Sequence, residues 1–81
     1  MNIRELFDAA TSSEAPELVN VVAGRAGDNA ADTVGWSNRY DREGRRTREF
    51  MQVWHDTVIS ILSDGPVPEV VEWFAKRGCE A

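Results

Sequence analysis

Residues 36–62, WSNRYDREGRRTREFMQVWHDTVISIL, constrain the fold more than any other stretch of this chain. Placed at about 100° per position, Trp36, Tyr40, Thr47, Phe50, Met51, Trp54, Val58, Ile61 and Leu62 share an arc of roughly 120°, with Gly44 on the same side. That spacing predicts one long central helix ending near Leu62, and such a helix in a small chain needs neighbours along its apolar side. Glu43 interrupts the stripe, and Val53 and Ile59 fall outside it. A second reading is open. Asp41 and Gly44 occupy the first and fourth positions of a type I turn, so Val34, Trp36, Asn38 and Tyr40 would alternate along a strand of a small hairpin at residues 34–49. Residues 48–63 are helical in both readings.

The flanking segments read as shorter helices. Asn2 with Glu5 has the spacing of a capping box, and Ile3, Leu6, Phe7 and Ala10 follow at helical intervals, which predicts a helix over Asn2 to Ala10. Ser12 and Ser13 break it and can cap the next, where Pro16 is tolerated in the first turn. Ala15, Leu18, Val19, Val22, Ala23 and Ala26 form an apolar face, and Gly27, Asp28 and Asn29 supply a stop, so the second helix is expected over Ser13 to Ala26. Residues 63–68, SDGPVP, form another break. A last helix is expected from Pro68 to Arg77, with Val70, Val71, Phe74 and Ala75 on its apolar face, Lys76 and Arg77 against its negative end and Gly78 as terminator. The expected fold is all-α, a compact bundle of about four helices forming a single domain over residues 1–81. The alternative is α+β with the small hairpin.

Charge is distributed unevenly along the 81 residues. The net charge is −5, yet residues 36–49 hold five of the nine basic residues. Both ends are acidic. Overall acidity disfavours broad binding to DNA or an anionic membrane, since both require neutralisation of many phosphates. The first 20 residues carry Glu5, Asp8, Glu14 and Glu17 and no continuous apolar core, so they do not read as a signal peptide, and no apolar run reaches membrane-span length. One cysteine, Cys79, excludes an intramolecular disulfide. A cytoplasmic protein is the expectation.

The candidate chemistry is sparse. His55, Asp56 and Cys79 could compose a nucleophile with base and orienter, but adjacent positions on a helix diverge by about 100°, so no catalytic residue is expected. One His and one Cys do not make a closed zinc site, and no calcium loop occurs, so neither metal nor cofactor is expected. The segment YDREGRRT resembles one unit of the tyrosine-aspartate repeats of large secreted bacterial shells, but a single unit lacks the stacked array such repeats fold in.

The arginines carry the remaining signal. On a helix, Arg39 would pair with Glu43, Asp41 with Arg45, and Arg45 or Arg46 with Glu49, leaving Arg42 and Arg48 free for external contacts. Trp36, Trp54 and the phenylalanines are expected in the core, whereas Trp73 falls at a helix edge beside Glu69, Glu72 and Arg77 and reads as an interface anchor. The expected partner-binding residues are Arg42, Arg45, Arg46, Arg48 and Trp73. Together these features predict a small non-catalytic interaction or regulatory protein that sterically covers a larger protein partner. A phage-encoded inhibitor of a host complex, including a defence complex, suits that class. Its limited core also suits a homodimer. The alternative is a nucleic-acid-binding module using the Arg39 to Arg48 patch, although no aromatic platform for stacking bases is evident in the sequence.

Overall fold

The computed structural model describes residues 2–65 and 67–79. Pro66, part of the expected break before the last helix, lies outside the described residues. Four α-helices follow one another as α1 (Ile3–Ala10), α2 (Glu17–Val34), α3 (Arg48–Asp64) and α4 (Pro68–Ala75), with a 3-10 turn at Trp36–Asn38. The all-α bundle is therefore what the chain forms. Helices α2 and α3 make its principal packed pair, and α1 and α4 close over them. No described helix is long and apolar enough to cross a membrane.

Helix α1 starts as its sequence dictates. The Asn2 side chain accepts from Glu5 N–H at 2.8 Å, and the Glu5 carboxylate accepts from Asn2 N–H at 3.3 Å, which satisfies two otherwise orphaned donors. Leu6, Phe7 and Ala10 form its buried face.

Helix α2 differs from expectation at both ends. Ser13 does not cap it. The chain instead turns through residues 11–15, held by Asn20 Nδ2 donating to Ser12 O at 3.2 Å and Ala15 O at 3.1 Å, and the helix begins after Pro16. It then runs through Gly27, Asp28 and Asn29 to Val34. Glycine in a helix interior costs about 1 kcal/mol, but Ala23, Ala26, Ala30 and Ala31 are all buried on one continuous face. Burial of that face outweighs the local stop signal. At Gly27, a side chain's first carbon would meet Phe7 and Trp54 at 3.8 Å, ordinary van der Waals contact, so this turn of α2 packs directly against both rings.

The central segment is corrected more strongly. The single helix expected from Trp36 is broken: Gly35, at φ 95°, ends α2, and α3 starts only at Arg48, capped by Thr47 Oγ1 accepting from Phe50 N–H at 3.3 Å. Between them lies a tight turn of the kind the hairpin alternative described, although it closes with one isolated Tyr40–Arg46 bridge rather than a sheet. The turn is built by Asp41, whose carboxylate accepts from Glu43 N–H and Arg45 N–H, each at 2.9 Å. Gly44, at φ 78°, adopts the left-handed conformation that reverses the chain.

Helix α4 ends at Ala75, two residues before the expected Arg77. Gly78, at φ 89°, lets its own N–H donate to Ala75 O and Cys79 N–H donate to Phe74 O, both at 3.0 Å, which is the paired bonding of a Schellman ending. That ending folds Cys79 back into the core beside Phe74, both essentially inaccessible. The core itself gathers Leu6, Phe7, Val19, Phe50, Trp54, Val58, Leu62, Val70 and Phe74 around the α2 alanines.

Candidate interaction site

The turn between α2 and α3 gathers aromatic and charged side chains at the surface. Trp36, expected in the core, and Tyr40, on the same expected apolar stripe, are instead 49% and 48% exposed. Their apparent helical register with Phe50 and Trp54 ends at Gly35 and the Asp41 turn, so the two rings project from a different backbone. Both are nevertheless held in place. Trp36 Nε1 donates to Asp32 Oδ1 at 2.7 Å, and the Arg39 guanidinium stands over Trp36 at 4.6 Å and Tyr40 at 5.2 Å from the ring centroids. Arg39 Nε donates to Trp36 O at 2.9 Å. The backbone under this stack is fastened to α3 by Thr47 N–H donating to Arg39 O and Thr47 Oγ1 donating to Asn38 O, each at 2.9 Å.

Beside the stack a cleft of about 170 Å³ opens between α2 and the turn. Phe7, Gly24, Gly27 and Phe50 line its apolar part, Asp28 lies on the α2 side, and Trp36, Arg39 and Tyr40 form its other margin. Gly24 faces open space, with no atom within 4 Å of where a side chain would begin.

The expected site residues separate into three roles. Arg42 and Arg45, on the turn, and Arg48, at the first position of α3, are exposed and in no ion pair among the described residues. Arg46 turns inward instead. Its guanidinium pairs with Asp8, stands 4.0 Å from the Phe7 centroid, and its carbonyl accepts from Arg4 Nη2 at 3.2 Å, so it fastens the turn to α1. The helical pairs of Arg39 with Glu43, Asp41 with Arg45, and Arg45 or Arg46 with Glu49 do not form among the described residues, because the helix that would align them is absent.

Trp73 lies elsewhere. It is partly buried on α4, edge-on to Phe74 at 5.1 Å and covered by the Arg77 guanidinium at 3.8 Å. A second cleft, of about 210 Å³, joins it to Ala9, Ser12, Glu14 and Ala15 rather than to residues 36–48. The arginines and Trp73 are therefore two patches.

The remaining reactive groups are dispersed. His55 Nδ1 is 3.8 Å from the neighbouring Asp56 carboxylate on α3, while Cys79 is enclosed at the end of α4, where burial pushes its thiol above the ordinary value. Among the described residues, no group of three or more His, Cys, Asp or Glu side chains is arranged to hold a metal ion.

Sequence reasoning missed the Trp36–Arg39–Tyr40 stack. The available signals were short-range: Asp32 and Trp36 four positions apart at a helix end, and an arginine between two aromatics just before an Asp-to-Gly turn. Comparison of the chain with protein-family models, curated proteins and solved structures gives no match to any of them.

Proposed function

We propose that this is a non-catalytic binding protein that covers a surface of a larger protein partner with the turn between α2 and α3. The observation carrying this reading is the exposed Trp36–Arg39–Tyr40 stack, fixed by its own hydrogen bonds and flanked by Arg42, Arg45 and Arg48. Trp, Tyr and Arg dominate binding hot spots, and side chains already held in place lose little further freedom on association. A protein this small acts most directly by steric blockade. Regulation of a bacterial or host complex, including inhibition of a defence complex by a phage-encoded protein, is the setting that suits such a mode, with the cytoplasm as its compartment.

The test is a pull-down from host lysate read by mass spectrometry, with the wild-type chain beside an Arg42→Glu, Arg48→Glu variant. The variant is expected to keep its circular dichroism and lose the captured protein. Equal capture by both would remove the turn from the interface.

A second reading is favoured by one feature absent from the sequence-level expectation, the exposed aromatics interleaved with arginines, which is the composition of a single-strand nucleic-acid platform. It requires retention of DNA or RNA that weakens steeply with salt, and lack of retention at low ionic strength excludes it. The charge balance supports the protein reading over this one. Arg39, Arg42, Arg45 and Arg48 share the surface with Asp28, Asp32, Asp41 and Glu43, so the face lacks the net positive potential that phosphate binding needs. Self-association to a homodimer would show as a doubled mass in light scattering.

A further inference from the structure

We infer that the cleft between α2 and the turn receives one apolar side chain of a protein partner, and that Arg39 takes the carboxylate of a residue adjacent to it. This rests on the reading of the turn as a protein-binding surface and assigns the chemistry it recognises.

Volume decides the kind of occupant. Pockets for cofactors and drug-sized ligands span about 300–1,000 Å³, whereas an apolar cavity of about 150 Å³ accepts a benzene ring. At about 170 Å³ the cleft has room for one aromatic or branched side chain. Glycine is disfavoured in a helix interior, yet Gly24 stands in α2 where nothing occupies the space above it. Its lack of a side chain keeps that part of the cleft open.

Charge decides what stands next to that side chain. Arg39 lines the cleft, and no carboxylate pairs with it among the described residues. Its Nε is engaged by Trp36 O, and its Nη groups donate to no atom among the described residues. The guanidinium centre stands 4.6 Å from the Trp36 and 5.2 Å from the Tyr40 ring centroid, and with only Nε engaged its two Nη groups keep their donors for a carboxylate, the group arginine pairs with most strongly. Asp28, on the α2 side, disfavours a second acid there and offers an acceptor for a backbone N–H of the entering segment. The partner segment therefore carries an apolar residue with an Asp or Glu beside it.

A random peptide library displayed against the full chain tests this directly. The expected consensus places Phe, Trp or Leu next to Asp or Glu. Peptides with that consensus should bind about tenfold or more weakly to Arg39→Gln, which removes a charge-assisted pair, and to Gly24→Leu, which fills the cleft. Gly24→Leu projects into open space, and unchanged circular dichroism in both variants checks that each remains folded. An acid-free or basic consensus, failure to enrich any peptide, equal binding by both variants, or preference for single-stranded oligonucleotide over peptide would each overturn the assignment. The two readings fail differently. If Arg42→Glu, Arg48→Glu loses its lysate partner while Gly24→Leu retains it, the surface stands and the cleft assignment falls. If the peptides follow the expected pattern and no lysate protein is held, the cleft assignment stands and the surface-covering role falls.

Discussion

The indole N–H of Trp54 donates to the carbonyl of Ala23 at 3.1 Å, joining α3 to α2 at the centre of the core. Helix α2 already uses that carbonyl for the N–H of residue 27, so the indole takes its second lone pair. Phe7 packs against the same ring at a centroid distance of 4.6 Å, and Gly27 of α2 lies against both. Trp54→Phe should therefore cost about 1–2 kcal/mol, mainly from the lost hydrogen bond and a small void. Trp54→Ala should cost about 3–5 kcal/mol, a large share of what an 81-residue domain possesses. Urea denaturation of the two variants checks both the order and the gap.

Gly24 and Gly44 predict opposite outcomes for the same substitution. Gly24→Ala places a methyl in open space on a helix and should stabilise by about 0.5–1 kcal/mol, raising Tm by about 2–8 °C. Gly44→Ala should destabilise by about 1 kcal/mol despite equally open surroundings, because its φ of 78° strains any side chain. Equal Tm shifts in the two variants would contradict the turn geometry.

Arg46 should behave unlike its neighbours. Its pairing with Asp8 and its position over Phe7 are internal, so Arg46→Ala should lose about 1–2 kcal/mol through the ion pair and the cation–π contact together. Arg42→Ala and Arg48→Ala, on exposed side chains, should remain within about 0.5 kcal/mol of wild type. Thermal melts of the three variants separate a fastening arginine from the free ones.

The turn should loosen in acid. The Arg45 N–H bond to Asp41 is the main influence holding that carboxyl below its ordinary value, with partial desolvation opposing it and the Glu43 N–H and the Arg45 and Arg4 charges assisting. A depressed folded-state value means that the contribution is present above the ordinary carboxylate range and is lost as pH falls through the lowered value. Amide exchange at Glu43 and Arg45 should accelerate there, before the core amides respond. Asp41→Asn retains an acceptor oxygen and should remove this acid dependence while keeping the turn, whereas Asp41→Ala should open it at neutral pH.

Cys79 gives a dependence of opposite sense. Burial raises its thiol above the ordinary value, so the folded state retains the proton longer than the unfolded chain. Stability should be unaffected by this group below the ordinary thiol value and fall as pH rises above it toward the raised folded-state value. Alkylation at neutral pH should be slow until urea opens the core; rapid labelling of the native chain would contradict the Schellman ending.

Local signals proved legible where nothing distant competes with them. The Asn2 and Glu5 pair marks the start of α1, and Pro68 and Gly78 bracket the last helix and its turn, because capping and terminating residues act within a few positions. Gly27 reads as a stop until Phe7 and Trp54 arrive from other helices to occupy its flank, information that spacing in α2 does not contain. The central segment failed for a different reason. Trp36 and Tyr40 happen to continue the 3.6-residue register of α3, while Asp41 and Gly44 impose a reversal between them, and the hydrogen bonds of that turn override the periodicity. Arg42, Arg45 and Arg48 remained outward in either conformation, so their exposure was readable without the fold, whereas the Arg39 stack required knowing that the helix was broken.

The adjacency of α2 and α3 in both sequence and space bears on how the chain finds its structure. Its principal helix pair is joined only by residues 35–47, so the entropy of bringing the two together is small, and the pair can meet before either terminus has docked. Such a local arrangement belongs to the rapidly folding class of helical domains. The Asp41 turn then acts on speed as well as shape: lengthening it with glycine and serine should slow refolding more than it accelerates unfolding.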